Sequence, residues 1–344
     1  MLTSRRGGFS AAALSLTLIL SAASGANAAD GPCRRGCPTD PGTTHTDANA
    51  GGGSLEVTVS GTGVRQGGGS YTVPGSTVHI APTCFYRQFM TGKEYAAAWA
   101  SNGQFTYTAH HLPPEDQFEP EPGYLDHKDD DEGHWWYPSC DAESWTGPED
   151  KYAAYRDAYY DTHKTMYVEA TERPPVADAV PPEKLAQVAF EATTIEPGTV
   201  HWNPTRKGDD ATFVGLDTWV WLDDSPTHLE VTASIPGLSA TVTSTLEGLH
   251  LSADGADSDD CDGTGTPWSA GATTDCRLTF DRSSANQPVK AGHDEPTTTL
   301  TADAVWNAAW TSTDGDGGTL DDQTITSTAE VPVAEIQSVV NAAR

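Results

Sequence analysis

The amino-acid sequence predicts two unlike halves, an α+β N-terminal region followed by an all-β sandwich. Three observations carry this reading. Helix signals dominate before the run 213–222, strand signals dominate after it, and the run itself is the most concentrated apolar stretch beyond the N-terminal leader. In an extended strand successive side chains alternate. Phe213, Trp219 and Trp221 would then fall on one side, and Val214, Leu216, Val220 and Leu222 on the other. A strand apolar on both sides is normally covered on both. Trp219 and Trp221 are therefore expected to pack at the junction of the two halves.

The elements follow in order. Residues 1–28 read as a secretory signal peptide: Arg5 and Arg6 precede an apolar run from Ala11 to Ala23, and Ala26-Asn27-Ala28 supplies the small-residue cleavage site. Residues 29–54, rich in Gly, Pro, Thr and Asp, form a flexible lead-in. The α+β region spans 55–205 and begins with strands at 55–60, 71–73 and 77–80. Thr91-x-x-Glu94 and Thr146-x-x-Glu149 are capping boxes that announce two helices. Tyr95, Ala98 and Trp99 stripe the first, and Tyr152, Tyr155 and Tyr159 the second. A third helix starts at Pro181-Pro182, with Leu185, Val188, Ala189 and Ala192 on one face.

Between the first two helices lies an acidic, proline-bearing segment, 110–133, containing Asp129-Asp130-Asp131-Glu132. Like charges repel, so a long mobile loop is expected there. It runs into Trp135-Trp136-Tyr137. The β half, 212–338, carries a hairpin of 229–235 and 238–244 turned at Pro236-Gly237. Strands at 277–280, 297–310 and 324–333 complete the pattern of an antiparallel sandwich.

Charge and cysteines narrow the partners. With 49 acidic and 19 basic residues the formal charge is -30. Such a chain repels phosphate backbones and anionic headgroups, which argues against nucleic acid and membrane surfaces as partners. No run after the leader approaches the ~20 apolar residues of a spanning helix. A soluble protein outside the cell is expected, with no stable membrane insertion after cleavage. Six cysteines in an exported chain point to disulfides. Proximity pairs Cys261 with Cys276 and Cys33 with Cys37, leaving Cys84 with Cys140.

An ordered set of short motifs runs through the second half. It comprises Leu185-Ala186, Val214-Gly215-Leu216-x-Thr218-Trp219-Val220-Trp221-Leu222, the two cysteines Cys261 and Cys276, Gly263-Thr264-Gly265-Thr266-Pro267, Arg282-Ser283-Ser284, Trp306-x3-Trp310, Gly317-Gly318-Thr319-Leu320 and Val333-Ala334-Glu335-Ile336-Gln337. In these motifs the chain resembles a group of secreted actinobacterial proteins of unassigned function. The C-terminal part of that group is similar to a PKD-like, immunoglobulin-like sandwich. Of the PKD signature turn, Trp-x-Phe-Gly-Asp-Gly, the chain keeps Asp254-Gly255. The resemblance implies a spacer or adhesion module, with no family catalytic residues to carry over.

The chemistry-bearing residues are few. Asp254, Asp257, Asp259 and Asp262 share one acidic turn and are calcium candidates, since calcium takes about six to eight oxygens. The spacing is not that of an EF-hand, and in a chain this acidic a solvated turn is favoured. His110, His111, His127 and His134 lack metal-ligand spacing. No Gly-x-Ser-x-Gly or Ser-x-x-Lys motif is present, so no catalytic residue is assigned and no cofactor is expected. Trp135, Trp136 and Tyr137 are candidate binding aromatics. The expected function is that of an exported, non-catalytic binding, adhesion or structural module facing an extracellular protein or a glycan. The alternative is a secreted hydrolase of a glycan or cell-wall polymer, with a carboxylate-based site between the two halves.

Overall fold

A computed structural model describes residues 53–175 and 178–336. The signal peptide, the lead-in up to residue 52 and the Cys33–Cys37 pair lie outside the described residues.

The first part of the chain contributes β1 (Leu55–Arg65), β2 (Ser70–Ile80), β3 (Cys84–Thr91), α1 (Gly92–Ala98), α2 (Gln104–His111), β4 (His134–Cys140), α3 (Tyr152–Thr162), β5 (Met166–Val168) and α4 (Pro182–Glu191). The second part contributes β6 (Thr199–Asn203), β7 (Thr212–Phe213), β8 (Asp217–Asp223), β9 (Pro226–Ile235), β10 (Leu238–Ala253), β11 (Asp259–Asp262), β12 (Arg277–Thr279), β13 (Thr298–Ser312), β14 (Gly317–Val331) and β15 (Val333–Ala334). The chain is largely β, and its sheets are antiparallel apart from the short β7–β15 pair. Among the described residues no helix is long and apolar enough to cross a membrane.

The largest sheet has the order β14-β13-β10-β9-β1-β2, with β11 added on β10. The hairpin read at 229–235 and 238–244 is its centre, and Gly237 turns it at φ 87. The N-terminal hairpin belongs to the same sheet. β1 pairs with β9, Thr58 facing Ser234 and Gly61 facing Val231. Strands read as part of the α+β region thus complete a sheet of the β half. The two short strands expected at 71–73 and 77–80 are one strand, β2, whose pairing with β1 slips at Pro74 and Gly75.

One face of this sheet carries two adjoining cores. At one end Val57, Val59, Val231 and Val242 meet Leu185, Ala186 and Ala189 of α4. At the other end Leu249, Leu251, Leu300 and Trp306 meet Val220, Leu222 and Leu278 of a smaller sheet, ordered β12-β8-β6. Each fully buried aliphatic side chain contributes about 1.5–3 kcal/mol. The opposite face bears hydroxyls such as Thr62, Thr241 and Thr243. β-Branched hydroxyl residues suit a pleated, wet face, and Thr232 and Thr241 share a hydrogen bond of 2.8 Å across it.

The third sheet, β3-β4-β5, packs Trp135 against Tyr95 of α1 and Phe105 of α2. The first capping box forms as read: Thr91 Oγ1 accepts from Glu94 N at 3.2 Å, and Glu94 Oε2 accepts from Thr91 N at 3.0 Å. The second does not. Gly147-Pro148 leads into a 3-10 turn at Glu149–Lys151, and α3 starts at Tyr152 without a side-chain cap. α2 is an addition to the sequence reading, carried by Phe105 and Ala109, four residues apart and both buried.

The acidic segment is laid back on α1 instead of hanging free. Glu121 N donates to Tyr95 Oη at 3.3 Å, and Lys93 N donates to Asp130 O at 2.7 Å. The Asp130 carboxylate accepts from the Tyr167 hydroxyl and from the Glu132 and Gly133 amides. Those bonds, the Tyr167 one foremost, hold its pKa down to about 2.

Two of the expected disulfides are formed, Cys84–Cys140 and Cys261–Cys276. The second joins β11, on the large sheet, to the residue preceding β12 on the small one. Its partners are 15 residues apart, a loop whose opening costs about 3 kcal/mol. The Cys261→Ser, Cys276→Ser double variant should lose about that much in urea unfolding, and reductant should have a smaller effect on it than on the parent. An unchanged midpoint would show that the bridge does not hold the layers together.

Candidate functional site

Residues 213–222 do not form one strand. β7 pairs with β15, the chain turns through Val214, Gly215 and Leu216, and β8 starts afresh at Asp217. Gly215 sits at φ 74, where an L side chain is strained. The turn resets the alternation. Thr218, Val220 and Leu222 point inward and are 0% exposed. Trp219 and Trp221 take the outer face, half-buried, and neither belongs to an apolar core. Their expected place as packing between two halves is corrected accordingly.

β8 is the middle strand of its sheet, so both neighbours furnish the outer face. Asn203 of β6 and Arg277 of β12 stand level with Trp219, His201 with Trp221, and Thr279 with Asp217. Arg277 Nη1 lies 3.4 Å from Asp217 Oδ2, and Thr279 Oγ1 donates to Asp217 Oδ1 at 3.2 Å. His201 stacks on Trp221 with ring centroids 5.6 Å apart and planes 15° from parallel. Its Nε2 is 3.3 Å from Asp223 Oδ2. Trp221 Nε1 is buried without a partner, so this ring offers a ligand surface and no hydrogen bond.

Two further features frame the face. The segment 255–259 runs along the outer edge of β12: Asp257 N donates to Thr279 O at 3.3 Å, Asp257 Oδ1 accepts from Thr279 N at 2.7 Å, and Asp259 Oδ2 accepts from Arg277 N at 3.4 Å. On the same edge of β8, just before β12 begins, Val220 N donates to Cys276 O at 3.1 Å and Leu222 N to Thr264 O at 2.8 Å. A Cβ on Gly265 would lie 2.6 Å from Val220 O and 3.1 Å from Trp221 Cα, at φ 75. The Gly-Thr-Gly motif is what lets that loop close against β8.

Alternate side chains on a strand are spaced about 7 Å. Trp219 and Trp221 therefore make an extended aromatic platform, with an amide, a guanidinium, an imidazole and carboxylates at its border. Such a surface can take the apolar C–H face of a sugar ring while its rim hydrogen-bonds the hydroxyls.

The residues nominated from the sequence lie elsewhere. Trp135 and Tyr137 are 4% and 7% exposed and fill the third sheet's core side, while Trp136 is half-buried on the opposite face of β4. Burial raises the Tyr137 hydroxyl pKa above its ordinary value. The calcium candidates have separate engagements. Asp254 accepts from Arg282 at 2.6 Å and from Gln287 at 2.9 Å, Asp257 and Asp259 brace β12, and Asp262 N donates to Asp275 Oδ2 at 3.1 Å. Among the described residues no three His, Cys, Asp or Glu side chains converge as a metal site. Asp262 also lines an open groove of about 300 Å³ with Glu247, His250, Asp260 and Asp275. There His250 Nδ1 is 2.6 Å from Asp260 Oδ1.

His201, Asn203, Asp217, Asp223 and Arg277 were not singled out in the sequence. The alternation of 217, 219, 221 and 223 could have found the two carboxylates, because it places them beside the tryptophans on any strand that begins at 217. Set against known proteins, the chain matches no family model, no curated protein and no solved structure.

Proposed function

We propose that this protein is a non-catalytic binding module that holds a glycan on the outer face of β6, β8 and β12. The observation that carries the proposal is the position of Trp219 and Trp221. They occupy alternate sites on the central strand, on the side away from the core, within a polar border. Two large aromatics left partly exposed on one face of a small sheet form an apolar surface that a ligand can cover. Tryptophan and arginine are also the residues that most often dominate binding surfaces.

Other parts of the reading belong to the same proposal. The two formed disulfides and the charge of -30 support a place outside the cell, where thiols oxidise and solubility is needed. β3, β4 and β5 with α1, α2 and α3 support an α+β unit. The two stacked β layers and the Asp254-Gly255 turn support kinship with exported PKD-like, immunoglobulin-like modules.

The test is retention on insoluble polysaccharides, namely cellulose, chitin and bacterial cell wall. The parent protein should be retained on at least one of them, and Trp219→Ala should be released. The same variant should lose only about 1–2 kcal/mol of stability, short of the ~3–5 kcal/mol of a fully buried aromatic. Equal retention of parent and variant would remove the platform from the account, as would failure of the parent to bind any of the three.

A further inference from the structure

Resting on the glycan-binding reading, we infer that the ligand of the Trp219 face is a glycan bearing free, positively charged amino groups. The charge pattern around the platform points there. Asp217 and Asp223 bracket the two tryptophans at the ends of β8, with side chains 57% and 46% exposed. Asp257 and Asp259, on the segment that runs beside β12, add two carboxylates, each accepting from one of that strand's amides. Against these four stand Arg277, already 3.4 Å from Asp217, and Arg65, which donates to the carbonyl of Asp224 beside Asp223 and is itself paired with Glu196 at 3.0 Å. His201 is neutral unless protonated and lies 3.3 Å from Asp223.

An indole face attracts a cation through its quadrupole, and nearby carboxylates add to that attraction. The rest of the molecule acts in the same sense, since a charge of -30 draws cationic polymers in and repels anionic ones. Acidic glycans are therefore disfavoured at both ranges. A neutral glycan could use the platform but would draw nothing from the excess of carboxylates at its border. An amino sugar satisfies both halves of the face, its C–H surface on Trp219 and its ammonium groups toward the carboxylates.

The experiment is calorimetric titration of the whole protein with three soluble hexamers: glucosamine, N-acetylglucosamine and cellohexaose. The glucosamine hexamer should bind about tenfold more tightly than the other two. That preference should collapse in about 1 M NaCl, where the screening length is about 3 Å. Asp223→Asn should reduce the preference while leaving binding of the neutral hexamers in place, and Trp219→Ala should abolish binding of all three. Equal or tighter binding of the N-acetylated or cello-hexamer overturns the amine inference and leaves the glycan reading standing. Glucosamine binding that survives Trp219→Ala intact overturns the inference too, since it marks bulk attraction to an anionic surface. Binding of none of the three overturns the amine inference, and the glycan reading falls with it if the protein is also not retained on bacterial cell wall.

Discussion

Trp306→Ala should be the most damaging single truncation in the chain, lowering unfolding free energy by about 3–5 kcal/mol. Trp306 is 1% exposed and lies on β13 between Leu246 of β10 and Gln323 of β14. It belongs to the core shared by the large and small sheets, where no other fully buried side chain is larger. The sheet is irregular at the same level. Pairing slips between Leu246 and Gly248 on one side of β13 and between Trp306 and Ala308 on the other. Bulges of this kind bend a strand locally, so neighbouring side chains cannot simply slide into the space the indole leaves. Domain stabilities are about 5–15 kcal/mol, and the loss would take a large share of that. The expected signature in urea is a lower midpoint with an unchanged slope. Trp306→Phe should be much milder, because it keeps a ring in place and deletes a buried Nε1 that has no acceptor. A change below about 1 kcal/mol for Trp306→Ala would contradict the shared core.

Leu185→Ala is expected to cost about 2–5 kcal/mol, and Leu185→Asp more, because a buried carboxylate without a partner is dearer than a cavity. Leu185 is 0% exposed and enters the core that α4 makes with β1, β9, β10 and β13. Its side chain ties an N-terminal helix to strands far along the chain. The loss should therefore appear in the main unfolding transition, with far-ultraviolet and tryptophan signals moving together. A separate early transition, with the main one unchanged, would mean that α4 docks loosely and that the large sheet stands without it.

Much of this architecture was legible where the signal is local. Alternation marked β9, the first half of β1 and the first half of β10, and the Thr- and Val-rich runs at 297–310 and 324–333 marked β13 and the second half of β14. The Thr91–Glu94 box and Pro181-Pro182 placed the starts of α1 and α4, and Gly237 placed the central turn. The pairings of Cys84 with Cys140 and Cys261 with Cys276 also held. What could not be read is long-range or depends on one turn. Nothing local in β1 says that it pairs with β9, because the period-2 pattern names a buried face and not a neighbour. Thr146-x-x-Glu149 shows the limit of motif reading, since Pro148 inside it turns the chain into a 3-10 start instead of a cap.

The site was missed for a related reason. Read as one continuous strand, 213–222 has two apolar sides and must be sandwiched. The bend at Gly215 separates Phe213 from Trp219, and the second apolar side becomes an outer face. The partners that give this face its chemistry come from β6 and β12, which converge on β8 only through pairing across the sheet.

The most direct check of the Trp219 platform is the indole N–H region of a ¹H–¹⁵N spectrum. The protein would be titrated with the soluble hexamer of whichever polysaccharide retains it, with assignments from single Trp→Phe variants. The Trp219 signal should move with saturating dependence on ligand, with Trp221 following. Those of Trp306, Trp310 and Trp135, in the cores, should stay in place. Shifts centred on Trp136 or Trp268 with Trp219 unmoved would put the ligand elsewhere and contradict the account.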